Sequence, residues 1–499
     1  MYRVMVVDDE PQALKSVCRL VERRKDEFVV AATAEDGQEA LQKARESVID
    51  LIICDIKMPI LSGTELAEII QRELPEICFI IISGYQDFEY ARTAMRAGVI
   101  DYLLKPIVPS EFLRTLEHAA ERICGIQYAQ RNRLLHSLVS GTEKILDEKQ
   151  IKRCMPDSPY YAAVLRANGL PKRFGMEKIQ ERDADIQECF VVLGRDEMES
   201  LHLIPAEYFQ KTGFEDYLEK LRKQQKEQNY YTLVYDSRPF GTEKLQEVVQ
   251  KLYQTLDCCS SVGIIQCLDL EHPEQFPKFD RPKARKKKEE ALLRLEVAAR
   301  TGDREAVKQE ISREYEELSR MRPPQLWMES FTRKVLELMQ QYRLCRLTPS
   351  ECEYFLGEVF YNAVSMKSLS EGVMDLLIGD GKEDRGAGKA DSREYFEKIC
   401  QYLETNMGKA LTLPDLCCRF GISQTYMSRL FRKYSGNSFN QFLTELRMER
   451  ARVLFAEHPD ILIKDAAMLV GYEDPFYFSR LFRSYTGRSP SEYQRELSR

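Results

Sequence analysis

The stretch Asp50–Pro59, DLIICDIKMP, joins an apolar strand-like run to a charged side chain. Leu51–Cys54 is the kind of short apolar run that forms a strand covered on both faces. Asp55 follows directly, at a position where a buried carboxylate would be costly without a partner. Strand-like and helix-like patterns alternate around this stretch, from residue 1 to about residue 125. This alternation predicts a parallel, doubly wound sheet with helices on both faces.

Five strands and four helices are expected in this region. The expected strands are Tyr2–Val7, Phe28–Ala32, Leu51–Cys54, Ile77–Ile82 and Ile100–Leu104. The expected helices are Pro11–Arg24, Asp36–Ser47, Asp87–Ala97 and one that begins near Ser110. In sheets of this type, ligands bind beyond the carboxyl ends of the strands.

Composition limits the class of protein. The chain has 499 residues, of which 43% are hydrophobic and 31% charged, and its net charge is −7. These values predict several soluble domains and exclude a uniformly basic surface. We find no apolar run near the roughly 18–20 residues that a membrane span needs, and the acidic N-terminus is unlike a signal peptide. The 14 cysteines are scattered without a C-x-x-C pair, so we expect a reducing cytoplasmic location and no zinc site.

The chain divides into six segments by composition and pattern. Residues 379–392, GDGKEDRGAGKADS, are rich in glycine and charge, which is typical of a linker. The segments are an α/β domain at 1–122, a helical connector at 123–157, a sensory-like α/β domain at 158–268, a helical region at 281–378, the linker, and a helical domain at 393–499.

Three carboxylates are expected at the ends of neighbouring strands. Asp8 and Asp9 follow the first strand, and Asp55 follows the third. With the strand order 2-1-3-4-5, these strands are adjacent and the carboxylates converge. Mg²⁺ would offset their repulsion, and a carboxylate beside it can act as a nucleophile toward phosphorus. Ser83 and Lys105 end the fourth and fifth strands, where a hydroxyl and an ammonium could hold phosphoryl oxygens.

Three motifs in this order carry a family resemblance. The segments VVDDEP, DLIICDIKMPILSGTEL and IIISGYQDFEYARTAMRAGVIDYLLKPI resemble the receiver domain of two-component response regulators, which has a flavodoxin-like fold. The resemblance covers about residues 1–122. It implies that Asp55 is the phospho-acceptor, that Asp8, Asp9, Asp55 and the Lys57 carbonyl bind Mg²⁺, and that the phosphate and switch residues are Ser83, Tyr102 and Lys105.

The resemblance also implies a cis peptide bond at Lys105–Pro106. An aspartyl-phosphate hydrolase is the alternative enzyme interpretation of the same carboxylates. Those hydrolases carry a second Asp two residues after the nucleophile, and here Lys57 occupies that position.

A repeat of about 50 residues occurs near the C-terminus. Leu413–Phe442 and Ile463–Tyr493 share an Asp, a Gly and the motif SRLFR, in the same order. Each copy indicates two short helices joined at a glycine, as in a helix-turn-helix unit whose second helix enters the DNA major groove. The segment from Asp391 to Arg499 has 16 Lys and Arg against 14 Asp and Glu, so binding would depend on individual basic side chains.

The doubled pattern and the ending GYEDPFYFSRLFRSYTGRSPSEY resemble the DNA-binding domain of the AraC/XylS family, over about residues 395–497. This resemblance implies an all-α domain with two helix-turn-helix units. The recognition helices would be about Gln424–Lys433 and Pro475–Ser484. The candidate DNA-binding residues are Gln424, Thr425, Ser428, Arg429, Arg432, Lys433, Asp474, Tyr477, Arg480 and Arg483.

Together, the two resemblances imply a phosphorylation-controlled transcriptional regulator. Its expected partners are a sensor histidine kinase, promoter double-stranded DNA, RNA polymerase and, on activation, a second copy of itself. It would not be an enzyme beyond its own phosphoryl transfer and dephosphorylation. By family analogy, carbohydrate uptake genes are the expected targets. The alternative is an AraC-type regulator that is controlled by a small ligand in the middle domain and has an idle receiver.

Overall fold

The computed structural model describes residues 1–499 except 85–98, 141–147, 156–157, 172–190, 197, 210–212, 226–229, 346, 379–388, 410, 423, 473–474 and 498–499. The chain forms two compact units. The first comprises Met1–Leu134 with Glu143–Asp157, and the second comprises Leu135–Thr142 with Ser158–Arg499. Among the described helices, none is both long enough and apolar enough to cross a membrane.

The first unit contains a parallel five-stranded sheet in the order β2-β1-β3-β4-β5, which confirms the predicted fold class. Its strands are β1 Tyr2–Val7, β2 Phe28–Ala34, β3 Leu51–Asp55, β4 Cys78–Ser83 and β5 Asp101–Leu104. Its described helices are α1 Pro11–Val21, α2 Gly37–Glu46, α3 Gly63–Glu73, α4 Pro109–Ser140 and α5 Glu148–Cys154. The expected helix Asp87–Ala97 lies outside the described residues.

Strand β3 is apolar throughout because both of its faces are covered. Leu51 and Ile53 pack in one core cluster, which includes Phe112 of α4. Ile52 and Cys54 pack in the cluster on the opposite face. Alternate side chains of a strand point to opposite faces, so a centrally placed strand needs an unbroken apolar run.

The predicted connector begins within helix α4, which continues past residue 122 without a break. Gly125 lies inside this helix at a cost of about 1 kcal/mol relative to alanine, which is too small to end it. Helix α5 then packs back against the first unit, where Arg131 Nε donates to the Cys154 carbonyl oxygen at 2.6 Å.

The second unit opens with a mixed five-stranded sheet in the order β10-β9-β6-β8-β7. Only the β10–β9 pair is parallel. Four of its strands correspond to apolar runs in the sequence, whereas β8 does not, because it carries Glu199 and His202 at buried positions. The strands are β6 Tyr160–Ala167, β7 Val191–Leu193, β8 Glu199–Pro205, β9 Tyr231–Phe240 and β10 Gln266–Asp269.

A buried ionic network explains how β8 accommodates a carboxylate. Arg166 is fully buried and donates from both terminal nitrogens to Asp196, at 2.5 and 2.9 Å. Its Nη1 also lies 3.4 Å from Glu199, which accepts from Arg195 at 2.8 Å. Arg195 in turn pairs with Asp257 at 2.9 Å. Burial opposes ionisation of Glu199, but the two guanidinium groups outweigh it and lower the Glu199 pKa.

Helices complete this part of the second unit, and those between Arg281 and Ile378 share one apolar core. Trp327 packs on that core and stacks on Phe331, with 6.1 Å between ring centroids. The helices are α6 Phe214–Gln224, α7 Leu245–Cys259, α8 Arg281–Thr301, α9 Arg304–Ser319, α10 Gln325–Gln341, α11 Pro349–Asn362 and α12 Met366–Ile378.

The C-terminal segment is all-helical, as predicted. Residues 379–388 of the expected linker lie outside the described part of the chain. Helix α13 begins at Lys389, so the last four residues of the expected linker, 389–392, are helical. The turn glycine has the same conformation in both copies of the repeat. Gly421 and Gly471 both have positive φ values, 66° and 87°, at which a residue with a side chain is disfavoured. The helices are α13 Lys389–Asn406, α14 Leu413–Phe420, α15 Gln424–Tyr434, α16 Phe439–Glu457, α17 Ile463–Leu469, α18 Pro475–Thr486 and α19 Pro490–Leu497.

Candidate functional site

Two carboxylates and one ammonium meet at the carboxyl edge of the first sheet. Asp8 follows β1 directly and Asp55 ends β3, and these strands are neighbours with Val7 opposite Cys54. Lys105 Nζ lies 3.0 Å from Asp8 Oδ2 and 2.7 Å from Asp55 Oδ1. The Asp8 side chain is 3% exposed, whereas that of Asp55 is 12% exposed. Of the two carboxylates, Asp55 is therefore the more accessible to a reactant.

The electrostatics of this cluster follow from its burial and its charges. Burial disfavours the Lys105 ammonium, but hydrogen bonds to Asp55 and Asp8 outweigh that cost and raise its pKa. Lys105 therefore carries its charge throughout the physiological range. Burial, followed by the charges of Asp55 and Asp8, raises the Cys54 pKa well above its usual value. Cys54 is thus a neutral, small hydrophobic residue, as its sequence context predicts.

The loop after β3 approaches the acceptor position closely. The Lys57 backbone N–H donates to Asp55 Oδ2 at 3.2 Å. A Cβ on Gly63 would lie 2.1 Å from the Asp55 carbonyl oxygen, so a side chain at this position would force the backbone apart. Gly63 therefore shapes the loop at the start of helix α3.

The remaining predicted residues of this region lie at the ends of strands β4 and β5. Ser83 is fully buried and opposite Leu104, and its carbonyl accepts from the Lys105 backbone N–H at 2.7 Å. Tyr102 is half-buried on β5 and packs against the core cluster of one sheet face. The Lys105–Pro106 peptide bond is cis, as the resemblance implied.

The predicted convergence of three carboxylates is met for two of them. Asp8 and Asp55 share the Lys105 ammonium, but Asp9 is solvent-exposed. Within the described part of the chain, no group of three or more His, Cys, Asp or Glu side chains is arranged to hold a metal ion. The donor chemistry still fits Mg²⁺, which prefers one or two carboxylates with water and other oxygen ligands. Asp8, Asp55 and the Lys57 carbonyl are of that type.

The candidate DNA-binding residues of the C-terminal domain differ in their exposure to solvent. Arg432 and Lys433 are exposed, whereas Tyr477 and Arg480 are half-buried. Arg480 lies over the Tyr477 ring, with 5.8 Å between the guanidinium carbon and the ring centroid. Asp474 and the side chains of Gln424, Thr425 and Arg429 lie outside the described residues.

Two of the candidate DNA-binding residues are buried. Ser428 is 6% exposed. Arg483 is 9% exposed and pairs with Glu492 of helix α19 at 3.6 Å. Helical periodicity separates the two faces of a helix, but it does not show which other elements cover the polar face. For Arg483, the covering element is a helix that follows it in the chain.

Family models match both ends of the chain. Residues 4–117 match the response regulator receiver domain, and residues 416–496 match a helix-turn-helix domain. The N-terminal part of the chain is therefore a receiver domain of the response regulator type. The C-terminal part of the chain is a helix-turn-helix domain of the AraC type.

Individual relatives agree with this assignment. The chain is 40% identical over 105 residues to the HTH-type transcriptional regulator YijO of Escherichia coli K12, over 21% of this chain and 37% of that protein. It is 34% identical over 109 residues to the raffinose operon regulatory protein RafR of Pediococcus pentosaceus, over 22% and 39%. These matches span less than two fifths of the curated relatives.

A solved receiver domain is also similar. The chain is 34% identical to the receiver domain of AraT, a response regulator from Geobacillus stearothermophilus, over 24% of this chain and 95% of that domain, with a TM-score of 0.24.

Proposed function

We propose that phosphorylation of Asp55 by a sensor histidine kinase controls sequence-specific binding of the C-terminal domain to promoter DNA. The observation that carries the proposal is the Lys105 ammonium, which lies within 3.0 Å of both Asp8 and Asp55. This arrangement leaves a partly exposed carboxylate nucleophile beside a fixed positive charge. Fixed charges beside the transferred group are the main requirement of phosphoryl transfer.

The transfer step uses few protein groups. A carboxylate oxygen of Asp55 attacks the phosphorus of a phosphohistidine, and an O–P bond forms as the N–P bond breaks. The electron pair of the N–P bond returns to the imidazole nitrogen, which then takes up a proton from solvent. Lys105 offsets charge on the phosphoryl oxygens. Attack of water on the same phosphorus later releases phosphate and regenerates the Asp55 carboxylate, and we propose no other catalysis.

Asp8, Asp9, Asp55 and the Lys57 carbonyl would hold Mg²⁺ at this edge. When bound, Mg²⁺ supplies charge neutralisation for the phosphoryl oxygens. Ser83 and Tyr102 are the proposed switch residues. The Ser83 hydroxyl would bind a phosphoryl oxygen, and the half-buried Tyr102 would repack at β5. Such a local change in charge and packing can bias a two-state element.

The output is proposed to be transcription control by a homodimer that contacts promoter DNA and RNA polymerase. Helices α15 and α18 are the proposed recognition helices, because each is the second helix of a helix-turn-helix unit. The named role of RafR in a raffinose operon supports carbohydrate genes as the regulon.

We expect the phosphoryl mimic beryllofluoride, added with Mg²⁺, to raise the affinity of the full chain for its DNA by about tenfold or more. This factor in affinity corresponds to a typical allosteric coupling free energy, which is about 1–3 kcal/mol. Fluorescence anisotropy with a duplex selected from a random-sequence pool would measure it. Equal affinity with and without beryllofluoride would instead support control by a small ligand and an idle receiver. A cavity of about 230 Å³ in the second unit offers space for such a ligand.

Replacement of Arg480 by alanine is expected to weaken specific DNA binding about tenfold or more in the beryllofluoride-treated chain. An arginine that contacts a base edge contributes roughly 1–3 kcal/mol of discrimination. Arg393→Ala is the matched control, because Arg393 is exposed and lies on α13, outside both helix-turn-helix units. Equal affinity of the Arg480→Ala variant and the control would remove Arg480 from the DNA interface.

A further inference from the structure

The two proposed recognition helices are covered within the second unit by the region that precedes them. We call residues 158–378 the middle region. Helix α15 packs against α11 and α12 of the middle region as well as against its own domain. Helix α18 contributes side chains to a cavity whose other wall is the middle-region sheet.

The contacts of α15 involve its outward face. Arg432 lies over the ring of Tyr354 on α11, 5.7 Å from the ring centroid. Ser428 is one helical turn before Arg432, so the two side chains lie on the same face. Only 6% of Ser428 is exposed. Close by, Asn440 Nδ2 of α16 lies 3.4 Å from Asn362 Oδ1, at the end of α11.

The contacts of α18 involve strands of the middle region. Tyr477 and Arg480 line the cavity together with His202 of β8. Leu193 of β7 belongs to the same apolar cluster as Phe478 and Phe482, which form the core of the second helix-turn-helix unit. The edge strand of the middle-region sheet thus packs directly against the DNA-binding domain.

An electrostatic effect on His202 of β8 also indicates that Arg480 lies near this sheet. His202 is buried and is hydrogen-bonded to Ser200 and Tyr217, at 2.8 and 2.7 Å. Burial, and secondarily the positive charge of Arg480, lower the His202 pKa to about 3. A proposed DNA-contacting arginine is therefore close enough to act on a buried histidine of the middle region.

We infer that the middle region is an intramolecular competitor of DNA, whose α11–α12 pair and β7–β8 edge hold α15 and α18 in a closed form. The inference rests on the proposed function, because it assumes that these helices bind DNA. The major groove is about 12 Å wide and admits a bare helix of about 10–12 Å diameter. A helix that still carries the packed α11 and α12 is too wide to enter.

The interface has the character of one that can open. It encloses a cavity of about 230 Å³, and the residues that line it include polar ones such as Asn168, Gln224 and Thr444. Interfaces between domains of one chain that are polar and incompletely packed commonly allow domain motion. DNA affinity would then be reduced by the fraction of chains in the closed form.

Tyr354→Ala is expected to raise the DNA affinity of the unphosphorylated full chain about two- to fivefold, the factor for losing one exposed cation–π contact. Tyr208→Ala is the matched control, because Tyr208 is in the middle region and 71% exposed. Beryllofluoride should reduce the difference in DNA affinity between Tyr354→Ala and the control, because it should open the closed form of the control chain as well. If the two variants bind equally while beryllofluoride still raises affinity, the competition model is wrong.

Thiol labelling tests the covered face without DNA. In a Ser428→Cys chain, the new thiol should react slowly, and Tyr354→Ala or beryllofluoride should accelerate it severalfold. Cys418 is exposed and provides an internal reference when labelled peptides are quantified by mass spectrometry. Rapid labelling at position 428 in the untreated chain would overturn the inference. Failure of every form to bind DNA would instead refute the proposed function, and the labelling would still report whether α15 is covered.

Discussion

The Asp55→Asn variant is expected to take up no phosphoryl group from a small phosphodonor such as acetyl phosphate. The amide lacks the carboxylate oxygen that would form the bond to phosphorus. The fold should persist, because Asn is nearly isosteric with Asp and its one carbonyl oxygen can still accept a hydrogen bond from Lys105 or from the Lys57 N–H. Intact-mass spectrometry after incubation with the donor and Mg²⁺ measures the uptake.

Asp26→Asn is the matched control for this experiment. Asp26 is exposed and precedes β2, so it lies at the amino edge of the sheet, opposite the proposed acceptor. The control should be labelled like the wild type. Equal labelling of the Asp55→Asn chain would show that another residue accepts the phosphoryl group, and the assignment of Asp55 would be abandoned.

The Arg166→Ala variant is expected to lose about 3–5 kcal/mol of unfolding free energy in the second unit. Removal of one partner from a buried ionic network leaves the others charged and uncompensated. Here Asp196 and Glu199 would remain buried with fewer partners. Trp327 is the single tryptophan of the chain and lies in the second unit, so its fluorescence during urea unfolding reports on that unit alone.

Arg238→Ala provides the comparison for Arg166→Ala. Arg238 lies on β9 of the same sheet, and its ion pair with Glu271 is at the surface, with the arginine side chain 73% exposed. Exposed pairs contribute about 0–1 kcal/mol, so this variant should unfold near the wild-type urea midpoint. Similar midpoints for the two variants would mean that the Arg166 network does not stabilise the unit.

The first unit was largely predictable because its pattern is local and its topology is restrictive. Apolar runs marked β1 and β3, and a parallel sheet brings their carboxyl ends to one edge. Asp8 and Asp55 are brought together for this reason. Their joint contact with Lys105 required the structure, because the side-chain direction after a strand end depends on the loop conformation. The exposure of Asp9 has the same origin.

The second unit was predictable only in part. Its apolar strands followed the usual pattern, but β8 did not, because the buried Glu199 pairs with Arg195, four residues before it, and with Arg166 on the neighbouring strand β6. No local pattern predicts the pairing with Arg166, which is 33 residues away. The same limit applies to Tyr354, His202 and Leu193, which look unremarkable in sequence and lie beside the helix-turn-helix domain in the fold.

The sequence by itself determined the class of this protein, because ordered motifs and a repeat with matched glycines are properties of the chain. It also predicted that Asp8 and Asp55 lie close together, since strand ends in a parallel sheet converge. Only the tertiary structure decided which proposed DNA-contacting side chains are accessible. Ser428 and Arg480 have polar character in any conformation. Ser428 is buried on helix α15, which packs against α11 and α12, and the half-buried Arg480 lines a cavity with His202, so both lie beside elements that are distant along the chain. Burial is a property of packing between such elements, and periodicity within one helix does not record it.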